Sequence, residues 1–313
     1  MRYYFAPMEG LTDGIYRSLH HRYFPGVDRY YMPFFSPTSH RSLTPREERG
    51  LPPAGSVPFT AVPQVLTKSP EDFSWFARVC RDRGYEEINL NLGCPSGTVV
   101  SKGKGSGMLR DPEALDRFLE EIFRENCLPI SVKTRLGLEN REEFPALLEI
   151  FNRYPIRELT IHPRVRSQFY KGAVDREMFA WAREHSKNPL CFNGDLRSLS
   201  QVEALSRRFP DVEAVMIGRG FLMDPGMRSG GTDVERLERF MAELLEAYAA
   251  AFSSERNAMF RLKEHWSYLR FRFAGSDKLW KRLRKTTDIR EFKAITAEIF
   301  HTLPPGRVEE ALL

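Results

Sequence analysis

Cys94 ends the apolar run 88–92 and its Gly93, and is followed by Pro95 and three glycines, Gly103, Gly105 and Gly107, set among Lys102 and Lys104. A thiol held where a strand passes into a loop can do chemistry, although free cysteine is also common as inert packing. Other polar groups share that placing. Met8-Glu9, Gln64, Asn91, Lys133 with Arg135, His162 with Arg164, Asn193-Gly194-Asp195 and Gly218-Arg219-Gly220 each lie within or just after a short apolar run. The last two offer closely spaced backbone N–H groups and one guanidinium, which suits a dianionic phosphate; two tight turns that need glycine would read the same way. Lys133 would put a cation in the middle of the same face and His162 a donor beside it, an arrangement able to stabilise a planar ring bearing negative charge. Lys133 could instead form a Schiff base with a carbonyl substrate, as in an aldolase-like lyase.

Positioning so many groups alike requires a repeating frame. Apolar, β-branched segments predict strands near 3–6, 30–34, 59–65, 88–92, 130–133, 158–161, 190–192 and 214–217. Amphipathic stretches separate most of them, with Asp111 and Ser198 as N-caps. Eight strands alternating with helices predict an α/β fold, a (β/α)8 TIM barrel, whose active-site groups follow the strands at one face. A doubly wound open sheet is the alternative, but no G-x-G-x-x-G turn follows the first strand. From Met259, the residues Leu262, Trp266, Leu269 and Phe273 step by three and four and predict a buried helix stripe, with Arg261, Arg270 and Arg272 off it and free to meet phosphates. The expected division is a catalytic barrel over 1–230 and a smaller C-terminal all-α helical domain over 231–313, split near the Arg-Ser-Gly-Gly-Thr stretch at 228–232.

Composition narrows the class of protein. The 313 residues, 42% hydrophobic and 28% charged, suffice for a large core. Four widely spaced cysteines with no C-x-x-C pair argue against a disulfide framework or zinc site and for a reducing compartment. No apolar stretch is long enough to span a bilayer, so a cytoplasmic protein without a membrane partner is expected. Residues 255–293 hold twelve Lys/Arg against five Asp/Glu, while the rest of the chain is nearly balanced, which predicts either a local polyanion-binding surface or a solvated helix face.

At this point the residues resemble the tRNA-dihydrouridine synthases, FMN enzymes that reduce a uridine in folded tRNA. APMEGLTDGIYR from Ala6 is similar to that family's flavin segment, in the Met-Glu-Gly form of one bacterial branch, and NLNLGCPSGTVVSKGKGSGMLRDP from Asn89 to its catalytic loop. VKTRLG, IHPRVRSQFYKGAVD, FNGD and VMIGRG follow in the family's order, and MFRLKEHWSYLRFRF is similar to the helical domain of the same branch. One departure is Pro163, where the family usually has glycine.

The resemblance implies reduction of the C5–C6 bond of a tRNA D-loop uridine to 5,6-dihydrouridine. Hydride would come from FMN reduced by NADPH, with NADH left open, and the proton from Cys94. It places Pro7, Met8, Glu9 and Gln64 at the flavin ring. Lys133 and His162 would contact the ring and ribityl chain, and Asn193, Gly194, Asp195, Gly218 and Arg219 the tail and phosphate. Asn91 and Arg166 would lie near the uracil, Tyr170 on the RNA path, and Lys102, Lys104, Arg270 and Arg272 near RNA phosphates. The chain is expected to meet tRNA as a monomer.

Overall fold

Nine short strands make one sheet: β1 (Arg2–Phe5), β2 (Arg29–Tyr31), β3 (Ala61–Val62), β4 (Gln64–Val65), β5 (Ile88–Leu92), β6 (Ile130–Arg135), β7 (Leu159–His162), β8 (Leu190–Asn193) and β9 (Ala214–Ile217). The computed structural model describes residues 1–306 and 308. The sheet order is β3-β2-β1-β9-β8-β7-β6-β5-β4, and the neighbours pair in parallel. Its two end strands are consecutive in the chain, so the sheet curls round on itself as a TIM barrel, and a helical region follows.

The predicted strand over 59–65 is two segments because Pro63 has no N–H to give a neighbour. Phe35 covers the break: its N–H donates to the Gln64 carbonyl (2.8 Å) and its carbonyl accepts from Leu66 N–H (2.8 Å). Nine segments therefore fill eight strand positions. The predicted strand over 30–34 is shorter than expected, ending at Tyr31 two residues before Pro33. Both predicted N-caps are observed, Asp111 accepting from Ala114 N–H (3.0 Å) and Ser198 from Gln201 N–H (3.3 Å).

The chain divides into two compact units. The first comprises Met1–Glu9, Asp28–Gly194 and Leu205–Met216, and the second Gly10–Val27, Asp195–Ala204 and Ile217–Leu313, of which the described residues are considered. In the first unit the barrel interior is apolar on one side, where Tyr4, Ala6, Tyr31, Val62, Cys191, Ala214 and Met216 pack together. It is polar on the other, where Glu87 and Asn89, Ser131 and Lys133, and Glu158 and Thr160 occupy alternate positions of neighbouring strands.

At the start of those strands the buried Glu87 is held by Arg29 (2.8 Å) and Arg157 (2.9 Å). The buried Glu158 accepts from the Tyr4 hydroxyl (3.1 Å) and meets Arg2 at 3.6 Å. Burial pushes the Glu158 carboxyl up from 4.5 to about 6, against the pull of Tyr4 and Arg2. A carboxyl raised by folding gives its full stabilisation below the unfolded value and loses it as pH rises through about 6. Glu158→Gln should therefore gain stability relative to the unaltered protein by about 1 kcal/mol between pH 5 and pH 7.5. Urea unfolding at the two values reads this directly, and a pH-independent difference would refute the raised carboxyl.

In the second unit the helix Glu255–Leu269 starts at Ser254, whose hydroxyl accepts from Asn257 N–H (3.2 Å). The predicted stripe is buried throughout: Met259, Leu262, Trp266, Leu269 and Phe273. Phe300 of the helix Ile289–Thr302 closes on it, 5.3 Å from the Trp266 ring and 5.5 Å from Phe273. Trp266 is thus core. No helix of the described residues is long and apolar enough to cross a membrane.

Candidate active site

In the first unit Asn91 faces the barrel interior near the end of β5 and turns the chain that follows. Its Oδ1 accepts from Gly93 N–H (3.0 Å) and from Cys94 N–H (2.9 Å). Its amide donates to Gln64 Oε1 (2.7 Å), Gln64 Nε2 donates to Asn89 Oδ1 (2.7 Å), and Asn89 Nδ2 to Ser131 Oγ (2.8 Å). Three amides are linked head to tail, each donating and accepting, which reinforces the bonds and fixes the Cys94 backbone from below. Gln64, expected at a flavin ring, is fully buried with its amide nitrogen and oxygen both engaged here.

The glycine segment after Cys94 folds tightly, as a helical turn Gly97–Val100 and a 3₁₀ turn Gly105–Arg110. Gly105 has φ +57°, and a Cβ there would lie 3.0 Å from Cys94 Cβ and 3.1 Å from its carbonyl oxygen. Ser106 Oγ donates to that same carbonyl at 2.8 Å. Glycine is needed here for close approach. Lys102 is exposed, while Lys104 is half-buried and donates to Ser36 Oγ (3.2 Å).

Arg135, at the end of β6, is a buried cation that the sequence noted only as a strand-end group. Its Nε donates to Gly93 carbonyl (3.0 Å), its Nη1 to Val165 carbonyl (3.2 Å), and it lies 5.3 Å from the centre of the Tyr170 ring. Two residues earlier, Lys133 is half-buried and has no carboxylate partner among the described residues. Desolvation, and then the charge of Arg135, lower its ammonium to about 8, so it keeps most of its proton at neutral pH. Cys94 is half-buried, and burial pushes its thiol up despite a backbone bond to Ser96 and the nearby Arg135 and Lys133 cations. At neutral pH the thiol is therefore protonated, an acid rather than a thiolate.

His162 ends β7, and its Nε2 lies 3.1 Å from Arg164 Nη1. Pro163 supplies its carbonyl to Asp175 N–H (2.7 Å), so this turn keeps its bonding without the missing N–H. Asn193 ends β8 and donates to Met216 carbonyl (2.7 Å). A Cβ on Gly194 would stand 2.7 Å from Val174 and 3.4 Å from His162. Pro7 and Met8, just past β1, are half-buried and Glu9 is exposed.

In the second unit, Arg219 is ion-paired with Asp195 and follows Gly218 at the start of the short helix Arg219–Met223. Arg261, Arg270 and Arg272, expected to stand free for phosphates, each have an internal partner. Arg261 donates to the Gly10 carbonyl. Arg270 donates to Asp277 Oδ1 (2.7 Å) and lies 5.7 Å from the Trp280 ring, pinning the start of the helix Asp277–Lys285. Arg272 donates to Thr232 carbonyl (3.3 Å). The helical wheel placed them off the apolar stripe but carried no information on the loops that meet them.

The model of the dihydrouridine synthase family (Dus) matches residues 4–302. This chain belongs to that family. It is 29% identical over 97% of its length to a probable tRNA-dihydrouridine synthase of Rhizobium leguminosarum bv. phaseoli, of which the match covers 96%. It is 31% identical to tRNA-dihydrouridine synthase B of Xanthomonas campestris pv. campestris, over 68% of this chain and 64% of that one. Among solved structures it is similar in fold to an old yellow enzyme homologue variant (NCR) from Zymomonas mobilis, with a TM-score of 0.52 and 14% identity over 77% of this chain and 86% of that one. Morphinone reductase gives 0.51 and 11%, over 73% and 84%. Family membership makes the chain an oxidoreductase, and the two structures share its barrel.

Proposed function

We propose that this family member reduces a uridine of tRNA, in the D loop, to 5,6-dihydrouridine with a flavin, FMN, recharged by NADPH. The observation that carries the reading is the protonated Cys94 thiol, fixed by Asn91 and Arg135 beside a half-buried lysine without a counter-ion. The residues fit a flavin: Lys133 offers an unmatched cation to an electron-rich ring, and the Gly194 turn leaves no room for a side chain beside His162. Pro7, Met8 and Glu9 would line the ring, with Gln64 behind it holding Asn91, Lys133 and His162 would meet the ring and ribityl chain, and Asn193, Gly194, Asp195, Gly218 and Arg219 the tail and phosphate. When bound, FMN supplies the hydride that reaches uracil C6.

The chain's own residues do the rest. Asn91 and Arg166 hold the uracil, which must leave its stack to enter the barrel mouth, and Tyr170 lines the path. Cys94 gives its proton to C5, and Lys133 keeps positive charge close while the ring is electron-rich. Catalysis belongs to 1–230 and the grip on tRNA to 231–313, with Lys102 and Lys104 adding charge at the mouth. The enzyme works as a monomer in the cytoplasm, where its four free thiols stay reduced.

Purified enzyme should release FMN on denaturation and, with NADPH, convert unmodified tRNA to a dihydrouridine-containing product. Arg219→Ala should come off gel filtration with much less bound flavin, because alanine offers a dianion no charge-assisted hydrogen bond. A colourless protein, or one that leaves tRNA unreduced, would overturn the proposal.

A further inference from the structure

Phe169 is a bulky residue in a conformation that suits none. It has φ +50° and ψ −100°, outside even the left-handed helical region, and such a backbone costs about 1–3 kcal/mol. The turn that imposes it is well bonded: Gln168 Oε1 accepts from Val165 N–H (2.9 Å), and Phe169 N–H donates to Arg166 carbonyl (3.0 Å). Its effect is to turn two consecutive aromatic rings to solvent, with Phe169 41% and Tyr170 47% exposed. An apolar ring held out at a strained position calls for something to cover it.

The two rings are tied to the catalytic loop on either side of Cys94. Arg166 lies 5.2 Å from the Phe169 ring centre and donates from Nε to Pro95 carbonyl (3.3 Å). Arg135 lies 5.3 Å from the Tyr170 ring and donates to Gly93 carbonyl (3.0 Å). Each aromatic is thus backed by a guanidinium anchored to a neighbour of the thiol, so ring positions and thiol position are coupled. Neither Arg166 nor the exposed Lys171 has an acidic partner among the described residues, which leaves positive charge around the exposed Phe169 face.

We propose that Phe169 is the stacking platform for the nucleobase next to the uridine presented to Cys94. Resting on the tRNA-reduction reading above, this makes Phe169 a specificity residue that favours an RNA strand over an isolated uridine. A nucleobase supplies the flat apolar face that the ring lacks, and its flanking phosphate meets the exposed Lys171. Every base has such a face, so the platform selects for a neighbouring nucleotide without selecting its identity.

The test uses the full-length flavoenzyme, unmodified tRNA transcripts and a uridine-containing trinucleotide with 2-aminopurine beside the uridine. Phe169→Ala should raise the Kd and KM for tRNA by about 5- to 150-fold, the range for removing one aromatic–base stack, with the effect in KM rather than kcat. The unaltered enzyme and Phe169→Trp should quench 2-aminopurine fluorescence, and Phe169→Ala should not. Phe169→Gly relieves the backbone strain, so a melting temperature that rises while tRNA affinity falls separates stacking from a structural role. Unchanged affinity and undiminished quenching in Phe169→Ala would overturn the platform, as would a Phe169→Trp variant as weak as alanine. Dihydrouridine formation by the unaltered enzyme is read separately, so its absence counts against the tRNA-reduction reading while quenching still decides the platform.

Discussion

Replacing Cys94 with alanine is expected to slow oxidation of pre-reduced enzyme by unmodified tRNA by about 10²- to 10⁴-fold, the usual worth of a positioned acid. NADPH consumption in the flavin half-reaction should continue, because no proton from Cys94 is needed there. The contrast between half-reactions separates removal of an acid from general damage. The structure argues against damage, since the loop is held through backbone atoms of Gly93, Cys94 and Pro95 that an alanine retains. The pH dependence discriminates further. Burial pushes the thiol up, so it is protonated at pH 7, and the rate should not climb between pH 6 and pH 8. A thiolate nucleophile would give a rate rising up to about tenfold per pH unit over that range. A variant reoxidised by tRNA as fast as the unaltered enzyme would reduce Cys94 to packing.

The barrel was legible because parallel strands buried on both faces read as short apolar runs, and polar residues recur at the same end of nearly every one. Strand ends were less so: Pro63 split one strand and Phe35, from a different segment, completed the pairing, which no local pattern contains. At the site, Cys94, Asn91, Lys133 and His162 stood out as polar types at strand ends. Asn89 and Ser131 did not, although each lies two residues before a residue already singled out and so faces the same interior. Alternation was the available signal. Their partners sit on other strands, so the linked amides needed the register to become visible. Arg135 was visible as a strand-end cation but not as the group that holds Gly93. The partners of Arg270 were hidden for the same reason, since Asp277 and Trp280 meet it only after the chain reverses.

With Arg270 engaged internally, the cations expected to meet RNA are those of the helix Asp277–Lys285. Leu279 and Leu283 are buried one turn apart, whereas Lys278, Lys281, Arg284 and Lys285 are exposed with no ion-pair partner among the described residues. Arg282 is different, being paired with Glu298 at 3.2 Å. Four unpaired cations on so short a helix repel one another, a cost that a polyanion removes by displacing its own counter-ions into solution. Changing all four to glutamine keeps helix propensity and the buried leucines, so the fold should survive. Affinity for tRNA at low salt should drop by about 10²-fold, and the slope of log K against log salt should flatten by about 3, at roughly 0.7–0.9 for each phosphate no longer neutralised. Arg270→Gln should act otherwise, lowering the melting temperature by freeing Asp277 and the start of the helix while leaving the salt slope nearly unchanged. If the fourfold variant keeps the full salt slope, this helix faces solvent and the RNA lies elsewhere.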